Sequence, residues 1–108
     1  MEIEQKRGDT LVWECEYTDD AGVVVDLSTY VIKCEARDKN DVLLFSLSST
    51  ENGEIDIYAP TTGNFRVTVS DTTEFGIRLY DVDIQYTVGT LIKSSETFQL
   101  KVVKDITL

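Results

Sequence analysis

Tyr80-Asp81-Val82-Asp83-Ile84-Gln85-Tyr86-Thr87-Val88 alternates apolar and polar residues over nine positions. A period of two puts Tyr80, Val82, Ile84, Tyr86 and Val88 on one face of an extended chain, with Asp81, Asp83 and Gln85 on the other. One buried face and one wetted face is the mark of a strand in an antiparallel sheet. The same alternation recurs on both sides of this run. Leu11, Trp13, Cys15 and Tyr17 alternate with Glu14 and Glu16, and Tyr30, Ile32, Cys34 and Ala36 alternate with Lys33, Glu35 and Arg37. Leu43, Phe45 and Leu47 make a further set, as do Ile55 and Ile57, Phe65, Val67 and Val69, and Phe98, Leu100 and Val102.

Turn chemistry separates these runs. Asp19-Asp20-Ala21-Gly22, Asp38-Lys39-Asn40-Asp41, Glu51-Asn52-Gly53, Pro60-Thr61-Thr62-Gly63 and Val88-Gly89-Thr90 supply residues that tolerate positive φ or form Asx-turns. Asn52-Gly53 is the strongest hairpin signal. Val, Ile and Thr fill 33 of the 108 positions against 3 for Ala, a balance that suits a pleated surface better than a helix. These runs predict one domain over residues 1–108, an all-β antiparallel two-sheet sandwich of about seven to eight strands. Its expected core holds Trp13, Cys15, Ile32, Phe45, Phe65, Val67, Val82, Ile84 and Leu100. Asp71-Thr72-Thr73-Glu74-Phe75-Gly76 breaks the alternation. It reads either as one helical turn dropping Phe75 over the end of the sandwich or as a crossing loop. Lys104 to Leu108 reads as a last edge strand or a tail.

Composition narrows the function classes. Twenty acids against ten bases give a net charge of −10, which argues against nucleic acid and anionic membrane as partners. His is absent, and with it the commonest general base and metal ligand. The Met1 to Lys6 stretch has no apolar core of a secretory signal, and no run reaches the length of a membrane span. With only two cysteines, the expectation is a chain made in a reducing cytoplasm, its thiols Cys15 and Cys34 free and inward-facing.

Candidate chemistry is sparse. Arg7-Gly8-Asp9 matches the integrin-recognised tripeptide, but it falls where a turn must precede a strand, with Asp9 bonding nearby amides. Asp81 and Asp83 share a strand face about 7 Å apart, a spacing open to glycosidase carboxylates but far better explained by a solvated strand face. Asp19, Asp20 and Asp26 could offer oxygens to Ca²⁺, though no Asp-x-Asp-x-Asp-Gly loop is present. Trp13, Tyr58 or Tyr80, if exposed, would make an aromatic platform for sugar rings. No phosphate loop, Gly-x-Ser-x-Gly or Cys-x-x-Cys occurs. No catalytic, cofactor-binding or metal-ligating residue is therefore assigned, no cofactor is expected, and the chain reads as a non-enzyme.

Three stretches in order carry a resemblance. Arg7-Gly8-Asp9-Thr10 enters the first long strand, and Asp26-Leu27-Ser28-Thr29-Tyr30 opens the next. Tyr80 to Tyr86 then leads through Gly89-Thr90-Leu91 to a last strand and Asp105-Ile106-Thr107. The order resembles the small immunoglobulin-like tail and baseplate proteins of bacteriophages, most of all the N-terminal domain of the baseplate upper protein of phages of Gram-positive hosts. Thr29 replaces the usual Gly, and Ile77-Arg78 after Gly76 lacks the usual aromatic, which argues against a tyrosine-corner contact. Arg78 is expected to snorkel to solvent. The resemblance implies an immunoglobulin-like virion component of tail, baseplate or particle surface, assembled in the host cytoplasm. Its partners would be other virion proteins or copies of itself, with a homo-oligomer forming on assembly. The alternatives are a carbohydrate-binding or adhesin-type sandwich and, last, an enzyme using Asp81 and Asp83.

Overall fold

The computed structural model describes residues 2–51, 54–95 and 97–104. Among them nine strands form: β1 (Glu2–Lys6), β2 (Leu11–Glu16), β3 (Val31–Arg37), β4 (Leu43–Ser48), β5 (Ile55–Ala59), β6 (Asn64–Val69), β7 (Leu79–Val88), β8 (Leu91–Ser94) and β9 (Phe98–Val103). The larger sheet runs β1-β9-β7-β3-β4, with β8 also paired to β7, and the smaller runs β2-β6-β5. All pairs are antiparallel except β1 on β9, which is parallel. The two inner faces enclose one core, and the expected sandwich is the one observed.

β7 organises that core. Tyr80, Val82, Ile84 and Tyr86 are buried, while Asp81 and Asp83 stand on the outer face. Ile32, Cys34 and Ala36 of β3 and Leu100 of β9 lie on the same inner side. Phe65 and Val67 of β6 cover them from the smaller sheet, both fully buried. Burying a side chain of this size contributes roughly 1.5–3 kcal/mol.

Two expected core residues are only half-buried. Trp13 and Cys15 point inward from β2, but β2 is an edge strand and the larger sheet does not fully cover them. Trp13 meets Phe98 edge to face, ring centroids 6.1 Å apart. Leu43 departs further. The register Ala36↔Phe45 and Arg37↔Leu43 leaves Leu44 as an extra residue, so the bulge turns Leu43 out to solvent and Leu44 in towards the core.

The strand count also exceeds the expected seven or eight. β1 carries one apolar residue, Ile3, and is held mainly by its ladder to β9. β8 is exposed throughout and exists as the return arm of the Val88-Gly89-Thr90-Leu91 hairpin. β7 thus pairs with β8 through Gln85↔Ser94 and with β9 from Val82↔Phe98 onward.

The end of the sandwich where β7 begins is tightly cross-linked. Asp71 to Gly76 forms no helical turn. Its bond is Phe75 N–H to the Thr72 carbonyl (3.1 Å), with Asp71 Oδ1 accepting from the Thr73 N–H and Oγ1. Phe75 does close the end, stacked on Phe45 with centroids 6.0 Å apart. Tyr80 Oη donates to the Gly76 carbonyl at 2.9 Å. This is a tyrosine corner, contrary to the expectation drawn from Ile77-Arg78. The contact needs Tyr80 and a free carbonyl four residues upstream, not an aromatic at position 78. At the opposite end Gly63 has φ +72°, and a Cβ there would sit 2.8 Å from the Tyr17 carbonyl. Only glycine lets β6 begin that close to the chain leaving β2.

The Asn52-Gly53 hairpin signal and the Asp105-Ile106-Thr107 segment lie outside the described residues, as does the choice between edge strand and tail after Lys104.

Candidate functional site

The aspartates singled out in the sequence are mostly occupied by their own backbone. Asp19 Oδ1 accepts from the Ala21 and Val23 N–H groups, and Asp26 Oδ1 accepts from the Ser28 N–H and hydroxyl. The Ser28 hydroxyl and amide hold the Asp26 carboxyl below its usual range. These are turn-forming bonds. No group of three or more His, Cys, Asp or Glu is placed to hold a metal ion among the described residues.

Asp81 and Asp83 do not share a cleft. They stand on the outer face of the larger sheet, opposite Arg37 and Glu35 of β3 respectively. Asp83 accepts from Thr97 Oγ1 at 2.6 Å. Asp81 alone borders a hollow formed with Lys39, Arg78 and Gln99.

Arg7-Gly8-Asp9 is a tight turn between β1 and β2, with the Asp9 N–H on the Lys6 carbonyl. Gly8, at φ +100°, donates its N–H to Thr72 Oγ1, which in turn donates to the Asp9 carbonyl at 2.6 Å. Asp9 therefore holds the turn through its backbone rather than through its carboxylate. Thr72 is fully buried and ties this turn to the segment before β7, a role that no sequence spacing announces. Asp38 plays a comparable part nearby. It is buried, accepts from the Asn40 and Val42 N–H groups, and pairs with Arg78 Nη1 at 3.2 Å. The Val42 amide is the main cause of its lowered pKa, with Arg78 adding to it. Arg78 reaches solvent as expected, and its Nη1 is held by the buried Asp38.

Of the three aromatics, Tyr80 is buried in its corner and Trp13 is half-buried. Tyr58 is exposed, with the Arg66 guanidinium 4.7 Å above its ring. Arg66 is held in turn by Glu14 at 2.9 Å across β2 and β6.

Both cysteines are free thiols. Burial pushes Cys34 up to about 12 and Cys15 up to about 11, the latter partly offset by the neighbouring Trp13 indole. At neutral pH both are protonated and poor nucleophiles. The indole Nε1 is buried and makes no hydrogen bond; it lies near Cys15 without bonding it.

Cys15 also lines a groove of about 700 Å³. One lip is the edge of β2 and the following turn, with Glu14, Glu16, Asp19 and Asp20. The other is β8 and the start of β9, with Lys93 and Phe98, over a floor of Ile84 and Tyr86. Burial raises the Tyr86 hydroxyl pKa as well. The groove offers apolar floor, acidic rim and unpaired strand edge. Among the described residues it brings no nucleophile together with a base. The sequence contained its residues, but only the topology makes β2 an edge.

No family model matches the chain, and no curated protein does. Among solved structures the chain is similar to murine CRIg, with a TM-score of 0.50 and 17% identity over 95% of this chain and 92% of that one. At that identity the likeness concerns the fold alone. The fold is an immunoglobulin-like β-sandwich.

Proposed function

We propose that this chain is a structural component of a bacteriophage virion, a module of tail, baseplate or particle surface that acts through protein–protein contacts and not as an enzyme. The observation that carries the reading is the ordered resemblance running from Arg7-Gly8-Asp9-Thr10 through the Tyr80–Tyr86 strand to Asp105-Ile106-Thr107. An immunoglobulin-like sandwich is compatible with it, since the resembling proteins are expected to have that fold. Open strand edges support it too, because an unpaired edge is a ready template for a neighbour's strand. The strongly acidic surface favours neighbours rich in Lys and Arg. Assembly would take place in the host cytoplasm.

Mass spectrometry of purified particles from the phage that encodes the chain is the test. The reading expects the protein at a fixed ratio to the major tail proteins. Its absence from particles, or its encoding by no phage or prophage, overturns the reading.

A further inference from the structure

We infer that the free edge of β2 is a docking site for one extended segment of another protein, apolar at alternate positions and basic between them. The inference rests on the assembly reading above and names which edge is used and by what.

The backbone argument comes first. Tyr17 donates its N–H to the Gly63 carbonyl, one position beyond the Glu16↔Asn64 pair of the β2–β6 ladder. In an antiparallel ladder, residues alternate between facing the partner and facing away. Odd-numbered residues of β2 thus bond β6, and Val12, Glu14 and Glu16 turn their N–H and C=O groups to the open side. β2 pairs with no other strand among the described residues. The strand preceding it, β1, runs in the other sheet against β9 and leaves this edge uncovered.

The groove supplies the second, independent observation. It lies along this same edge, with Glu14, Cys15 and Glu16 of β2 on one side and Lys93, Ser94, Thr97 and Phe98 on the other. Those pointing inward would meet Cys15, Ile84, Tyr86 and Phe98, an apolar lining. Those between would meet the rim, where Glu14 and Glu16 stand along the edge itself. An added strand places its side chains in just this alternation.

Charge then selects the occupant. Glu14 is paired with Arg66, which leaves Glu16, Asp19 and Asp20 against the single rim cation, Lys93, so a segment with Lys or Arg between its apolar positions is attracted. A second copy of this chain is a poor donor: its net charge is −10, and its edge strand β1 would bring Glu2 and Glu4 to an acidic rim.

The test uses the whole protein, ¹⁵N-labelled, with two capped peptides of about nine residues, long enough to span β2 with a margin at each end. One alternates Lys and Val, the other Glu and Val. The Lys peptide is expected to shift and protect the Val12, Glu14 and Glu16 amides and to bind at least about tenfold more tightly than the Glu peptide, the gap narrowing as salt rises. Glu16→Pro removes one outward N–H and leaves the β6 ladder intact, so the fold should persist while Lys-peptide binding falls. Glu16→Lys, which keeps the amide, should weaken binding through charge alone, so the result does not depend on the proline variant folding. Equal response to both peptides, or shifts confined to β4 and β5, overturns the inference. So does concentration-dependent protection of the same amides without peptide, which would assign the edge to a second copy. Peptide binding at β2 with the protein absent from particles would sink the virion reading alone. Presence in particles with the β2 amides unprotected there would sink the docking inference alone.

Discussion

The end of the sandwich where β7 begins and the flank along β2 are built from the same kinds of residue and arranged to opposite effect. At the end, polar side chains are buried and satisfied. Thr72 bridges Gly8 and Asp9, Asp38 gathers two amides and Arg78, and Tyr80 reaches Gly76. These bonds tie the β1–β2, β3–β4 and β6–β7 connections together. Along β2, the carboxylates of Glu14 and Glu16 stand exposed, Trp13 and Cys15 are half-covered, and a row of backbone groups has no partner strand among the described residues. The contrast separates two tasks. The end fixes the fold, and the flank leaves surface for another chain.

The comparison is broken most forcefully at Phe75. Truncation to Ala removes a buried ring stacked on Phe45 and is expected to lower stability by roughly 3–5 kcal/mol in denaturant unfolding. A loss below about 1 kcal/mol, the size of a surface change, would mean the end is not closed as described. Thr72→Val keeps the volume and removes both hydroxyl bonds, leaving the Gly8 N–H without its acceptor while the Asp9 carbonyl keeps only Gln5 Nε2. The expected cost is about 1–3 kcal/mol, and a neutral result would deny the bridge its role.

The thiols sharpen the same contrast through pH. Folding holds their protons above the ordinary value of 9.0, with Cys15 pushed up to about 11 and Cys34 to about 12. Their contribution to stability is complete below pH 9 and is lost as pH rises towards 11 and 12, because the unfolded chain releases those protons first. Urea midpoints measured from pH 8 to 11 should fall, and Cys34→Ala should flatten that fall. A thiol reagent should label Cys15, on the groove, faster than Cys34, and should count two thiols after unfolding without reductant. A count of zero would reveal a disulfide. The smallest effect is expected at Glu16→Lys, whose stability should stay within about 0.5 kcal/mol of the parent, as befits an exposed side chain on an open edge.

The period-two runs carried seven of the nine strands and most of the core, since one-sided burial writes itself directly into alternation. What they did not carry has physical reasons. β1 and β8 gain their order from ladder bonds to β9 and β7, which leave no apolar signature. The flipping of Leu43 comes from a one-residue bulge that pattern cannot locate. The tyrosine corner was legible in Tyr80 and Gly76 but was set aside on the identity of residues 77 and 78, which the bond does not use. Thr72 and Asp38 became visible only when the fold brought distant turns together. The groove was least legible of all, because an edge is a property of sheet order, and order joins β2 to β6 across some fifty residues.

Amide hydrogen exchange along β2 tests the open flank most directly. In the isolated protein at neutral pH, Val12, Glu14 and Glu16 should exchange quickly, while Trp13 and Cys15, bonded to β6, are protected to a degree approaching that of β3 and β7. Uniform protection of all five amides would show that the edge is already covered and would contradict the account.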